Sequence, residues 1–189
     1  KPLKECTITI SDDVTYDGDS HIPTITITDD EKTGAEKTLV ENQDYEVEFY
    51  RDKKLISDKN DFINAGTIEI KIVSRDETKY TTKGLSTIDY TINPKKLEDV
   101  EISLKQTEIE FDGKDHEKDI IPTVGELNDG EYSVAYQRDG EITNDFTNAG
   151  TIDVVVTVTN NPNYIGSRKL SCKITKKSDA KVEVALVEE

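Results

Sequence analysis

Apolar and polar side chains alternate in short bursts along the whole chain. Ile8 and Ile10 are spaced by Thr9, Tyr45, Val47 and Phe49 by Glu46 and Glu48, Ile68, Ile70 and Ile72 by Glu69 and Lys71, and Ile88, Tyr90 and Ile92 by Asp89 and Thr91. A period of two is that of a half-buried strand, whose successive side chains point to opposite faces. Turn signals separate the bursts: Ser11-Asp12-Asp13, Asp17-Gly18 and Asn42-Gln43-Asp44. Short strands are predicted at Val14–Tyr16, at Pro23–Thr28 and, more briefly, at Leu39-Val40 and Leu55-Ile56. Asp29 to Glu36 reads as a polar hairpin-like loop. The pattern gives about seven short strands and no helical periodicity.

The same pattern then runs a second time. Asp61-Phe62-Ile63-Asn64-Ala65-Gly66-Thr67-Ile68 reappears as Asp145-Phe146-Thr147-Asn148-Ala149-Gly150-Thr151-Ile152, and both copies lead into an alternating apolar segment. Val100, Ile102 and Leu104 correspond to Cys6, Ile8 and Ile10; Phe111-Asp112-Gly113 to Tyr16-Asp17-Gly18; Ile121-Pro122 to Ile22-Pro23. Tyr132, Val134, Tyr136 and Arg138 correspond to Tyr45, Val47, Phe49 and Arg51. The chain therefore divides into a repeat over residues 1–94 and another over 95–176, joined at Asn93-Pro94, where proline ends a strand and stiffens the joint. The tail, 177–189, contains Val182-Glu183-Val184-Ala185-Leu186, which resembles Val100–Leu104 and is expected to be the first strand of a third, truncated repeat.

Composition narrows the classes of function. The formal net charge is −16, and hydrophobic and charged residues are nearly balanced at 33% and 34%. An acidic surface repels nucleic acid, whose binding relies on Lys and Arg displacing counterions, and favours a soluble monomer. No apolar run approaches the length of a membrane span. There is no signal peptide and no Met, so the sequence reads as a piece of a longer mature protein. The two cysteines, Cys6 and Cys172, alternate with apolar neighbours and are expected to be buried, unpaired thiols.

These motifs support a resemblance. Tyr16-Asp17-Gly18, Pro23-Thr24-Ile25, Asp44-Tyr45 to Phe49, Asn64-Ala65-Gly66-Thr67, Tyr80 and the strand Ile88 to Ile92 recur in order as Phe111-Asp112-Gly113, Pro122-Thr123-Val124, Glu131-Tyr132 to Tyr136, Asn148-Ala149-Gly150-Thr151, Asn163-Tyr164-Ile165-Gly166 and Leu170 to Ile174. Each repeat resembles the immunoglobulin-like tandem repeats of Gram-positive bacterial cell-surface proteins. The resemblance covers nearly the whole chain. It implies an all-β protein of two tandem immunoglobulin-like β-sandwich domains with about seven short strands each, located outside the cell, at the cell surface or in the wall. It implies non-catalytic spacer repeats presenting another domain away from the wall, with neighbouring repeats of the same chain as partners. The alternative is an adhesion module for a host glycan, mucin or matrix protein. Phe111 in place of the first Tyr and the missing Gly after Tyr80 depart from the pattern.

Candidate chemistry is sparse. Asp112, Asp115 and Asp119 crowd one loop, with Glu117 among them, and hard cations take oxygen ligands, so these are the weak calcium candidates. Their spacing is not that of an EF-hand, and a solvated turn is the plainer expectation. His21 and His116 follow the Asp-Gly turns and lack a second His or Cys nearby; both are expected to be exposed loop residues. A glycosidase would need two carboxylates across a cleft, usually with aromatic sugar platforms, and the lack of Trp and the small repeats argue against it; a serine hydrolase would need a nucleophile elbow, and none is seen; no enzyme activity and no cofactor are expected. A Lys–Asn isopeptide crosslink would need a Lys at an inward position in both repeats, and none is found. Matched aromatics (Tyr16, Tyr45, Phe49, Tyr80, Tyr90) are expected in the core.

Overall fold

The structure is a computed structural model that describes residues 1–177. The expected strand at Val182–Leu186 lies outside the described residues. Two compact units emerge: Lys1–Lys95 with Pro162–Tyr164, and Lys96–Asn161 with residues from Ile165 on. The described residues form strands and short 3-10 turns, with no α-helix among them, and no helix is long and apolar enough to cross a membrane.

The first unit has seven strands: β1 (Thr7–Ile10), β2 (Val14–Thr15), β3 (Ile25–Thr28), β4 (Tyr45–Arg51), β5 (Lys54–Ile56), β6 (Gly66–Ser74) and β7 (Ile88–Asn93). They make a five-stranded sheet, ordered β2-β7-β6-β4-β5, and a pair, β1-β3. The pairings are antiparallel except β2 with β7, which runs parallel through Val14↔Ile92 and Thr15↔Asn93. Ile68, Ile70 and Ile72 of β6 and Tyr90 and Ile92 of β7 are buried together with Ile27 of β3 and Leu3, and Ile8, Ile10 and Ile25 pack against them. Both sheets thus share one core, and period-two alternation survives in β6 as buried Ile68, Ile70 and Ile72 against exposed Thr67, Glu69 and Lys71.

The remaining strands are β8 (Lys95–Lys96), β9 (Ile102–Leu104), β10 (Glu108–Glu110), β11 (Pro122–Val124), β12 (Tyr132–Arg138), β13 (Glu141–Ile142), β14 (Gly150–Val158), β15 (Tyr164–Ile165) and β16 (Ser167–Thr175). The second unit's five-stranded sheet is ordered β10-β16-β14-β12-β13 and its strand pair is β11-β9. Position for position this is the order of the first unit, including a parallel pair, β10 with β16. Its core collects Ile109, Ile120, Phe146, Ile152, Val154, Cys172 and Ile174.

Both β4–β5 and β12–β13 are closed by two-residue turns. Asp52 and Lys53 have φ of 50° and 65°, and Asp139 and Gly140 of 50° and 86°. Two successive left-handed residues form the turn whose twist matches that of paired strands. The charged connection with its brief strand at Leu55-Ile56 is a hairpin, through the pairing Phe49↔Ile56, Tyr50↔Leu55 and Arg51↔Lys54.

Candidate functional site

The duplicated stretch is a cup of backbone carbonyls closed by arginine. In the first unit Arg51, at the end of β4, donates from its guanidinium to the carbonyls of Ala65 (3.1 Å), Asp61 (3.2 Å) and Asn64 (3.0 Å). In the second, Arg138 donates to those of Asp145 (3.0 Å) and Asn148 (2.7 Å). The planar fork of arginine suits several convergent acceptors at once. Gly66 follows at φ 136° and Gly150 at φ 144°, and a Cβ on Gly66 would lie 2.6 Å from the Arg51 guanidinium. The positive φ is what calls for glycine in Asn-Ala-Gly, and a Cβ there would also push the Arg51 guanidinium out of its place. Phe62 and Phe146 are the buried residues of the cup, edge-on to Phe49 at 5.2 Å and to Tyr136 at 5.0 Å.

The Asp-Gly turns dock on the same cup. The backbone N–H of His21 donates to the carbonyl of Phe62 (3.0 Å), and that of His116 to the carbonyl of Phe146 (3.1 Å). His21 Nε2 lies 2.8 Å from Asp17 Oδ1, and His116 Nε2 lies 3.0 Å from Asp112 Oδ1. His116 goes further, with Nδ1 3.0 Å from Asp119 Oδ2. It is buried, not the exposed loop residue expected, because its turn packs over the cup.

The three calcium candidates take these places. Asp112 and Asp119 both face the His116 ring, while Asp115 Oδ1 accepts from the N–H of Glu117 (2.9 Å). Two carboxylates on one imidazole are both satisfied only by the imidazolium, which has two N–H groups. Asp119, and after it Asp112, hold the His116 pKa above its ordinary value; the Lys114 N–H, with His116, holds that of Asp112 below. The arrangement is an ion triad rather than an open oxygen cage, and among the described residues no group of three His, Cys, Asp or Glu side chains could hold a metal ion.

The triad makes stability pH-dependent. A raised histidine pKa contributes stability that is complete below the unfolded value, about 6.5, and is lost as pH rises through the folded one. The second unit is therefore expected to melt lower at pH 8.5 than at pH 5.5. His116→Gln should abolish most of that difference; an unchanged difference in that variant would assign it to other groups.

A second buried charge was not anticipated. Asp29, read from sequence as part of a polar loop, is only 2% exposed. Lys1 Nζ donates to it at 2.6 Å, the Tyr80 hydroxyl at 3.1 Å and the Glu31 N–H at 3.2 Å. Lys1 lowers the Asp29 pKa, and burial with the Asp29 hydrogen bond pushes Tyr80 up to about 12. The one hint in the sequence was the repeated Tyr at position 80, whose hydroxyl needs a partner once the ring is buried. Asp29→Asn keeps the shape and removes the charge. It should lower the melting temperature at pH 7 by roughly 5 °C, and the gap from wild type should close as pH falls below about 4. A gap constant from pH 7 to pH 2 would count against the ion pair.

Cys6 and Cys172 are free and buried, and burial raises both thiol pKa values. Cys6 stands just before β1, at the end of the Leu3–Glu5 turn, rather than within the strand.

One concavity of about 450 Å³ lies on the first unit, floored by Ile22, Val47, Phe49, Leu55, Ile56 and Phe62. Ile22 is 54% and Leu55 58% exposed, and their counterparts Ile121 and Ile142 are 55% and 73% exposed. Sequence alternation marked these positions as apolar but not as open.

The protein is thus an all-β protein with a duplicated sheet order and a duplicated carbonyl cup. Its sequence matches no protein-family model and no curated protein.

Proposed function

We propose that the chain consists of two immunoglobulin-like β-sandwich repeats that act as non-catalytic spacers of a bacterial cell-surface protein, holding another domain away from the wall. The observation that carries this reading is the parallel ladder in each unit. A strand near the start of the unit pairs in parallel with its last long strand: β2 with β7, extended by Tyr16 N–H to Asn93 O at 2.8 Å, and β10 with β16, extended by Phe111 N–H to Thr175 O at 3.0 Å. Opposite pulls on two parallel neighbours slide them past each other, so their hydrogen bonds are loaded together rather than one at a time. Such a geometry suits a chain under tension, and repeating it suits a stalk.

Single-molecule pulling tests this. Stretched through its ends, the chain should unfold in two events, each at higher force than when the first unit is pulled between Lys53, in the β4–β5 turn, and a chain end. Equal forces in the two geometries would remove the support for a tension-bearing role.

Adhesion to a host glycan, mucin or matrix protein is the second reading, favoured by the exposed apolar side chains around the concavity. Reproducible binding on an array of such molecules, lost when Ile22 and Leu55 are made polar, would put it first.

A further inference from the structure

We propose that the short stretch of β4 left unpaired between the Glu41 bridge and β5, in the first unit, is a docking slot for a short, extended, basic polypeptide segment. This goes beyond the spacer reading and stands or falls separately from it.

The slot is a gap in the ladder. On one side β4 is paired with β6 from Tyr45↔Ser74 to Tyr50↔Glu69. On the other, β5 reaches only Phe49, Tyr50 and Arg51. A bridge from Glu41 covers Tyr45, whose carbonyl accepts from the N–H of Asn42 at 2.7 Å. Between them lie Glu46, Val47 and Glu48. Backbone groups in a strand alternate sides; since the Tyr45 carbonyl points outward, so do the N–H and C=O of Val47. They form a single donor–acceptor pair open to a short extended segment, the kind of contact by which unpaired strand backbone takes up peptides.

The surroundings define the occupant. The concavity opens on this gap, and its apolar floor includes Ile22, Phe49, Leu55 and Phe62. Alternate side chains of an added strand would reach that floor. The charged residues that line it are Glu41, Glu46 and Glu48, and no Lys or Arg lines it. Glu46 is bridged to Arg75 and Glu48 to Lys71, behind the rim, and Glu41 is exposed. A segment that alternates apolar with basic residues therefore complements both floor and rim, whereas an acidic one meets like charge. The second unit provides a control. Its β12 edge presents Val134 in the same register, since the Tyr136 carbonyl accepts from Thr143 N–H at 3.0 Å, but Ser133 and Ala135 stand where Glu46 and Glu48 stand.

The test uses the whole chain, labelled for amide NMR, and an end-capped lysine-valine-lysine peptide, short enough for the three-residue gap. The amides of Glu46, Val47 and Glu48 should shift and saturate, and those around Val134 should not. Glu41→Lys, on an exposed side chain, should weaken binding about tenfold, and Leu55→Asn by a similar factor, with melting temperatures unchanged. A peptide with glutamate in place of lysine should not bind. Equal binding of the glutamate peptide, or equal shifts at Val134, would overturn the basic-segment assignment. Concentration-dependent self-association that Leu55→Asn abolishes would overturn it in favour of a second copy of this chain.

Discussion

Gly66→Ala should destabilise the first unit by about 3 kcal/mol, from ~1–3 kcal/mol of backbone strain and ~1–3 kcal/mol of displaced charged hydrogen bonds. At φ 136° an L side chain is strained whatever the space around it, and here the new Cβ also meets the Arg51 guanidinium. Moving that guanidinium away strands the carbonyls of Asp61, Asn64 and Ala65. The strain and the displacement can be separated by a double-mutant cycle. In the Arg51→Ala background there is no guanidinium to displace, so Gly66→Ala should cost only its backbone part. The non-additivity should be about 1 kcal/mol or more, as for side chains in direct contact. Urea midpoints of the four proteins measure it. Additive effects would mean that the arginine and the glycine share a loop without supporting each other. Gly150 and Arg138 offer the same cycle in the second unit.

The second large effect is expected at the aromatic of the cup. Phe62→Ala should cost about 3–5 kcal/mol, the range for truncating a large buried side chain. Phe62 is among the largest fully buried side chains, and its ring stands edge-on to Phe49, a geometry worth roughly 1 kcal/mol beyond the area buried. Its carbonyl also holds the His21 turn, so the loss should extend beyond the cavity: amide exchange at His21 should rise along with global unfolding. Phe146→Ala should do the same to the second unit through His116. A loss below about 1.5 kcal/mol would mean that the surrounding side chains collapse into the space. Unchanged exchange at His21 would sever the proposed link between cup and turn.

The stretch that stands out most in the sequence does not carry its own partner. Asp-Phe-x-Asn-Ala-Gly-Thr was visible as a repeat, but its partner, Arg51, was visible only as the end of a strand pattern. Asp61 follows Arg51 by ten positions, beyond the β4–β5 turn. Periodicity reports which face a side chain takes and carries no information on what stands opposite. The aspartates of the second Asp-Gly turn illustrate the same limit. Counted along the chain, Asp112, Asp115 and Asp119 are an acidic cluster; folded, Asp112 and Asp119 are the counterions of His116. His116 was expected in solvent and Asp29 at the start of a polar loop, and both are buried, each beside a charged partner.

By itself, the sequence determined that the chain is all-β, that one pattern is used twice, and which positions of each long strand turn inward, because alternate apolar residues can be buried together only in an extended backbone. Tertiary structure alone decided the strand order, the parallel ladders of β2 with β7 and β10 with β16, the arginine-filled carbonyl cups and the gap at Val47. The strand order and the ladders join residues far apart in the chain through backbone groups that every residue carries alike, and the cups set an arginine side chain against such carbonyls, so nothing in the residue types of the acceptors announces them.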